Sequence, residues 1–232
     1  GMPMNKEEAE KIYLQLAEER DDEWSMIKLA YIEMDRGNSE ERLKWIQKAL
    51  EKEYIDAYFE LGFFYQFDEA YKDLEKAQQS YYQAAQLGNP DGMNGLALIY
   101  YNMPDYKGDE QAFRWFSKSA DLGDSFGLYY LAVMYENGFG TYSNKQKAWD
   151  LYLASADQKF SPAYRKIAQL IEEGEAPASF TGRELEYYIK AAERNDIDAI
   201  HDVIRFLEKD PDRKKELFSW CQRGAQLNNG KC

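Results

Sequence analysis

The 232-residue sequence predicts an all-α fold, a solenoid of about six helix-turn-helix repeats of period 35–36 behind an N-terminal capping helix. Three observations carry that expectation. Six segments end alike, at Lys48-Ala49-Leu50, Gln83-Ala84-Ala85, Lys118-Ser119-Ala120, Ala154-Ser155-Ala156, Lys190-Ala191-Ala192 and Arg223-Gly224-Ala225, and their last residues are spaced 35, 35, 36, 36 and 33. Seven residues after the first five stand small residues, Ala57, Gly92, Gly127, Ala163 and Ala199. These are followed at steps of four by Leu61, Leu96, Leu131, Ile167 and Val203, then by Tyr65, Tyr100, Tyr135, Ile171 and Leu207, and residues four apart share one helical face. Breakers separate the stripes, among them Gly37-Asn38-Ser39, Gly88-Asn89-Pro90-Asp91, Asn102-Met103-Pro104-Asp105 and Gly138-Phe139-Gly140. Glycine permits the positive φ of a helix end, and Asn, Ser or Asp caps the next start.

Taken in order, residues 1–21 form the cap: Asn5 to Arg20 reads as a lone amphipathic helix through Ala9, Ile12, Tyr13, Leu16 and Ala17. A repeat domain over 22–230 follows, with repeats at approximately 22–54, 55–89, 90–124, 125–160, 161–196 and 197–230. The first helix of each carries the stripe just described, Leu29 opening it in the first repeat. The second helix sets large residues about one turn before the small pair: Trp45 and Ile46, Tyr81, Trp115 and Phe116, Leu151 and Tyr152, Tyr187 and Tyr188, Trp220 and Cys221. Large residues a turn ahead of small ones let the ridge of one helix enter its neighbour's groove, so this stripe is core.

The fourth repeat, Leu131-Ala132-Val133-Met134-Tyr135-Glu136-Asn137-Gly138-Phe139-Gly140 with Asn144, Lys147-Ala148, Tyr152 and Ala156, resembles the Sel-one-like repeat, a relative of the tetratricopeptide repeat. The second and third keep Leu61-Gly62 and Leu96-Ala97, caps at Asp73 and Asp109, and Ala77 and Ala112, but lose the Gly-x-Gly turn. The fifth has a longer linker containing Pro177, and the first and sixth are shorter, as terminal repeats that shield a stack often are. The resemblance spans residues 22–230. It implies a right-handed α-solenoid whose first helices line a concave surface, and an adaptor role in assembling complexes.

With 29 Lys+Arg against 42 Asp+Glu, the net charge of −13 repels phosphate backbones and anionic membrane surfaces, and no basic patch overrides it. Residues 164–232, with 12 basic and 13 acidic side chains, are the near-neutral part. Neither nucleic acid nor membrane is expected as a partner. The start lacks the apolar core of a signal peptide, no run approaches the roughly 20 apolar residues of a membrane span, and Cys221 and Cys232 make no disulfide framework. A cytoplasmic protein is the expectation.

No catalytic group, metal site or cofactor is expected. His201 is the only histidine, which removes multi-histidine metal sites and leaves any triad without alternatives. Gly88, Gly92 and Gly95 lack phosphate-cradling spacing. Acidic pairs such as Glu40-Glu41 and Glu172-Glu173 fall at helix starts or in connectors, as caps and solvated faces.

The informative surface is the one facing away from the packed stripe. At about 100° per residue, it holds Tyr31 in the first repeat, Phe59 and Phe63 in the second, Asn94, Leu98 and Tyr101 in the third, and Tyr129 and Val133 in the fourth. Arg165 and Gln169, then His201 and Arg205, continue it through the fifth and sixth. Such a wall is expected to receive a protein or peptide partner on its aromatic part, with Arg165 and Arg205 engaging acidic groups. The alternative is a regulatory subunit holding a small ligand or glycan in the same groove. A monomer or weak homodimer is expected.

Overall fold

The computed structural model describes residues 6–103 and 106–227; Asn5, Pro104, Asp105 and Cys232 lie outside them. The described residues form α-helices and short 3₁₀ turns, with no strand. The chain divides into two compact units, residues 1–119 and 120–232.

In the first unit, α1 (Lys6–Glu19) precedes α2 (Glu23–Asp35), α3 (Ser39–Glu51), α4 (Ile55–Phe67), α5 (Leu74–Gln86), α6 (Pro90–Tyr101) and α7 (Tyr106–Asp121), whose last two residues fall in the second. From α1 to α6 each helix packs on the next, and α4 also touches α6, the first helix of the following repeat. Met26, Leu29, Ala49 and Ala57 make one buried cluster with Ala17 of α1, which is how the N-terminal helix is held. A second gathers Ala30, Ile46 and Phe64.

The second unit holds α8 (Ser125–Asn137), α9 (Lys145–Asp157), α10 (Ser161–Glu172), α11 (Glu184–Ala192), α12 (Ile197–Leu207) and α13 (Lys214–Leu227), again packed in sequence. Its core runs from Ala132 to Leu207 with the rings of Tyr152 and Tyr188 inside. The long linker of the fifth repeat folds back on this core, placing Phe180 4.9 Å from the Trp149 ring.

The local signals act as their chemistry requires. Asp22, Asn38, Asp73, Asn89, Asp124, Asn144 and Asp196 each accept a backbone N–H three residues on. Gly138 ends α8 at φ 76°, a left-handed position open to glycine at little cost. Asp109 differs from its expected role as a cap. It sits inside the first turn of α7, where its charge faces the positive end of the helix.

Candidate functional site

In the first unit the outward face of α4 carries a row of rings. Phe59, Phe63 and Phe67 follow one another at 6.4 and 4.7 Å between centroids, Phe67 being 55% exposed. Phe59 also packs 5.7 Å from Tyr81 of α5, a ring clamped between the backbones of Gly62 and Gly95. Small residues at 62 and 95 thus let two first helices close on one aromatic, which seats the row above them.

Tyr31 of α2 is half-buried and donates its hydroxyl hydrogen to the Glu60 carboxylate of α4. Glu60 is buried, and that burial pushes its carboxyl up from the usual range. Beneath Phe63 and Phe64, with centroids 5.6 and 5.3 Å away, lies the Arg42 guanidinium. Arg42 is 4% exposed; burial lowers its pKa, opposed by the charges of Glu60 and Asp68.

Asn94 of α6 is buried, whereas Leu98 and Tyr101 are half-buried, Tyr101 lying 6.5 Å from the Phe116 ring. Between α5 and the packed stripe of α6, a cavity of about 220 Å³ is lined by Gln78, Gln79, Tyr82, Gln83, Leu96 and Tyr100.

In the second unit Tyr129 is part of an aromatic cluster, 5.5 Å from both Tyr152 and Phe160. Val133 and Gln169 are half-buried and His201 is exposed. Both arginines of this face already hold carboxylates of their own chain. Arg165 donates to Asp202 at 2.7 Å and Asp198 at 2.9 Å. Arg205 forms a fork on Glu172 at 2.8 and 2.9 Å. That fork, with a bond from Tyr188, holds the Glu172 carboxyl down at about 2 against the burial that raises it.

Of the twelve residues expected on the inner wall, six therefore fall in each unit, and the aromatic row belongs to the first. Three residues escaped the sequence reading: Phe67, which ends the exposed row, and Arg42 and Glu60, buried behind it. A signal for two of them existed. Arg42 shares a stripe with Ile46 and Ala49, and Glu60 shares one with Ala57 and Phe64, so opposite charges stand on two apolar helix faces.

No group of metal-ligating side chains forms among the described residues, and none of their helices is long and apolar enough to cross a membrane.

The Sel1 repeat model matches residues 55–89, 90–124, 125–160 and 185–196. No curated protein matches the chain in sequence. Among solved structures, a Sel1 repeat protein from Oxalobacter formigenes is similar at TM-score 0.74 and 21% identity, over 96% of this chain and 99% of that one. The protective antigen c5321 of uropathogenic Escherichia coli strains, which displays an SLR fold, is similar at TM-score 0.64 and 22% identity over 95% of this chain. This chain spans about half of that antigen, 53%. The immunity protein PA5088 from Pseudomonas aeruginosa is similar at TM-score 0.62 and 20% identity, over 82% of this chain and 74% of that one. At these identities the likenesses show the fold. With the repeat model matching half of its residues, the chain belongs to the Sel1 repeat family.

Proposed function

We propose that this protein is a non-catalytic interaction scaffold that docks a protein or peptide partner on the outward face of its first helices. The observation that supports it is the row Phe59, Phe63 and Phe67 on α4, three rings in register with the outermost largely exposed. A folded surface seldom leaves aligned aromatics in water without a use, and rigid rings make good anchors because they lose little conformational entropy on binding. Leu98, Tyr101 and Tyr31 extend the face, and the protein acts as a monomer or weak homodimer. Arg165 and Arg205 position α10 and α12 through their own carboxylates, so the anchoring falls to the aromatics.

The test is capture of partners from the native host by the full chain and by the double variant Phe63→Ala, Phe67→Ala. These two rings are chosen because Phe59 and Tyr129 also support buried tyrosines. A partner lost by the variant, with helicity and melting unchanged, supports docking on α4; identical partner sets refute it. The cavity beside Tyr82 favours a second reading, a small ligand whose apolar body lies on Tyr82, Leu96 and Tyr100 and whose polar groups meet Gln78, Gln79 or Gln83. A compound that raises the melting midpoint of wild type and not of Gln79→Leu would support that reading.

A further inference from the structure

Arg42 is the most buried arginine among the described residues, and part of its guanidinium is unused. Its Nε and Nη2 are shut off from solvent and have no hydrogen-bond partner. Elsewhere the chain treats arginine differently. Arg36, Arg165, Arg183, Arg205 and Arg213 each hold a carboxylate of their own chain within 2.9 Å. The two acids whose charges reach Arg42 accept hydrogen bonds from other donors, Glu60 through Oε1 and Asp68 through both oxygens. Glu60 accepts from the Tyr31 hydroxyl, and Asp68 accepts from Ser39 Oγ at 2.6 Å and from the Ala70 N–H at 3.1 Å.

Buried donors left without acceptors carry the full cost of losing water, and a buried cation more so. Nε and Nη2 form one edge of the planar guanidinium, and that edge matches both oxygens of a carboxylate. The guanidinium carbon lies 5.6 Å from the centre of the Phe63 ring, the middle member of the aromatic row, and 5.3 Å from that of buried Phe64. Phe63 is half-buried, and a carboxylate reaching the edge from outside requires that ring to turn aside.

We propose that the Nε–Nη2 edge of Arg42 receives the carboxylate of an aspartate or glutamate side chain of the docked partner, whose flanking apolar residues lie on Phe63 and Phe67. This rests on the docking reading above and adds the chemistry recognised. The charge around the site narrows the partner further. Residues 1–119 carry 14 Lys+Arg against 24 Asp+Glu, so a wholly acidic segment is repelled. The fitting segment has one acid set among apolar and neutral or basic residues.

The experiment uses the full chain with phenylacetate and its uncharged isostere phenylacetamide at equal ionic strength, following the melting midpoint. The expected result is a midpoint that climbs with phenylacetate and stays nearly flat with the amide, a response abolished in Arg42→Met and cut to less than about half in Arg42→Lys, which keeps charge without the fork. Equal responses to acid and amide, or an unchanged response in Arg42→Met, would overturn the proposal. So would an unresponsive wild type whose crystal structure shows water on Nε and Nη2. Should Arg42→Met not fold, the Arg42 Nε–H resonance of the wild type decides, moving with phenylacetate and not with the amide if the proposal holds. Partner capture lost in Phe63→Ala, Phe67→Ala but retained in Arg42→Met would refute the carboxylate contact and leave docking on α4 standing.

Discussion

The hydroxyl of Tyr188 donates to Glu172 at 2.9 Å, sixteen residues back in the same repeat. The bond recurs one repeat earlier, from Tyr152 to Glu136 at 2.6 Å, and in the second repeat from Tyr81 to Gln66 at 2.7 Å. Each ring is at most 1% exposed, so its hydroxyl has to find an acceptor within the protein. The polar residue near the end of the first helix supplies it. Gln66, Glu136 and Glu172 are thereby committed to holding hairpins together.

Tyr152→Phe is expected to destabilise the protein by about 1–2 kcal/mol, the usual cost of a bond to a charged group removed without a cavity. Lys166 remains on Glu136 at 2.8 Å, so the acid keeps a partner. Urea unfolding checks this: the midpoint should fall with an unchanged slope.

Acid sensitivity follows from Glu172. Its folded pKa of about 2 lies below the ordinary 4.5, so its stabilisation is fully present above pH 4.5 and is lost as pH falls towards 2. Glu186, held down to about 2 by Arg183 and Lys190, adds in the same direction. Both acids are a third or more exposed, so salt weakens the effect. Arg205→Met should be less stable than wild type at pH 7, and the gap should close by pH 2. A gap that stays constant would remove Glu172 from the explanation.

The Tyr81 clamp makes Gly62 and Gly95 sensitive. A Cβ on Gly62 would lie 2.5 Å from the Tyr81 ring and one on Gly95 2.7 Å, well inside contact distance. Gly62→Ala or Gly95→Ala should cost about 1–3 kcal/mol of overpacking, despite alanine's better helix propensity. Tyr81→Leu should relieve part of that cost, which a double-mutant cycle measures.

One turn position repeats its backbone without repeating its residue. Between the second helix of a repeat and the next first helix, Glu53, Gly88, Gly123, Lys159 and Asn195 all have φ between 59° and 85°. Only glycine adopts this region freely. Glu53→Gly and Lys159→Gly should therefore each raise stability by about 0.5–1 kcal/mol, after the greater chain entropy of unfolded glycine is set against the relief. Thermal melts of the single and paired variants check both size and additivity.

Much of this was legible in the chain. Spacings of four and a period of 35–36 gave the helices, their pairing and the core faces from Ala57 to Leu207, because helical periodicity alone dictates which residues meet a neighbour. The Asn and Asp caps were readable because capping is local chemistry, although Asp109 shows that a boundary can slip by several residues. The outward face was readable as a set of positions but not as a set of roles. Tyr129 and Phe59 were visible as aromatics, yet only the neighbouring helix reveals that they pack on buried tyrosines.

By itself, then, the sequence determined the repeat, the helices and the side of each helix that is buried. Those properties follow from spacing within a single helix. The tertiary structure decided which charges are already paired and which are not: Arg165 and Arg205 meet carboxylates 33 or more residues away, while Arg42 is buried beneath two rings with an edge unfilled. Pairing depends on distances between helices far apart in the chain, and no periodicity within one helix encodes them.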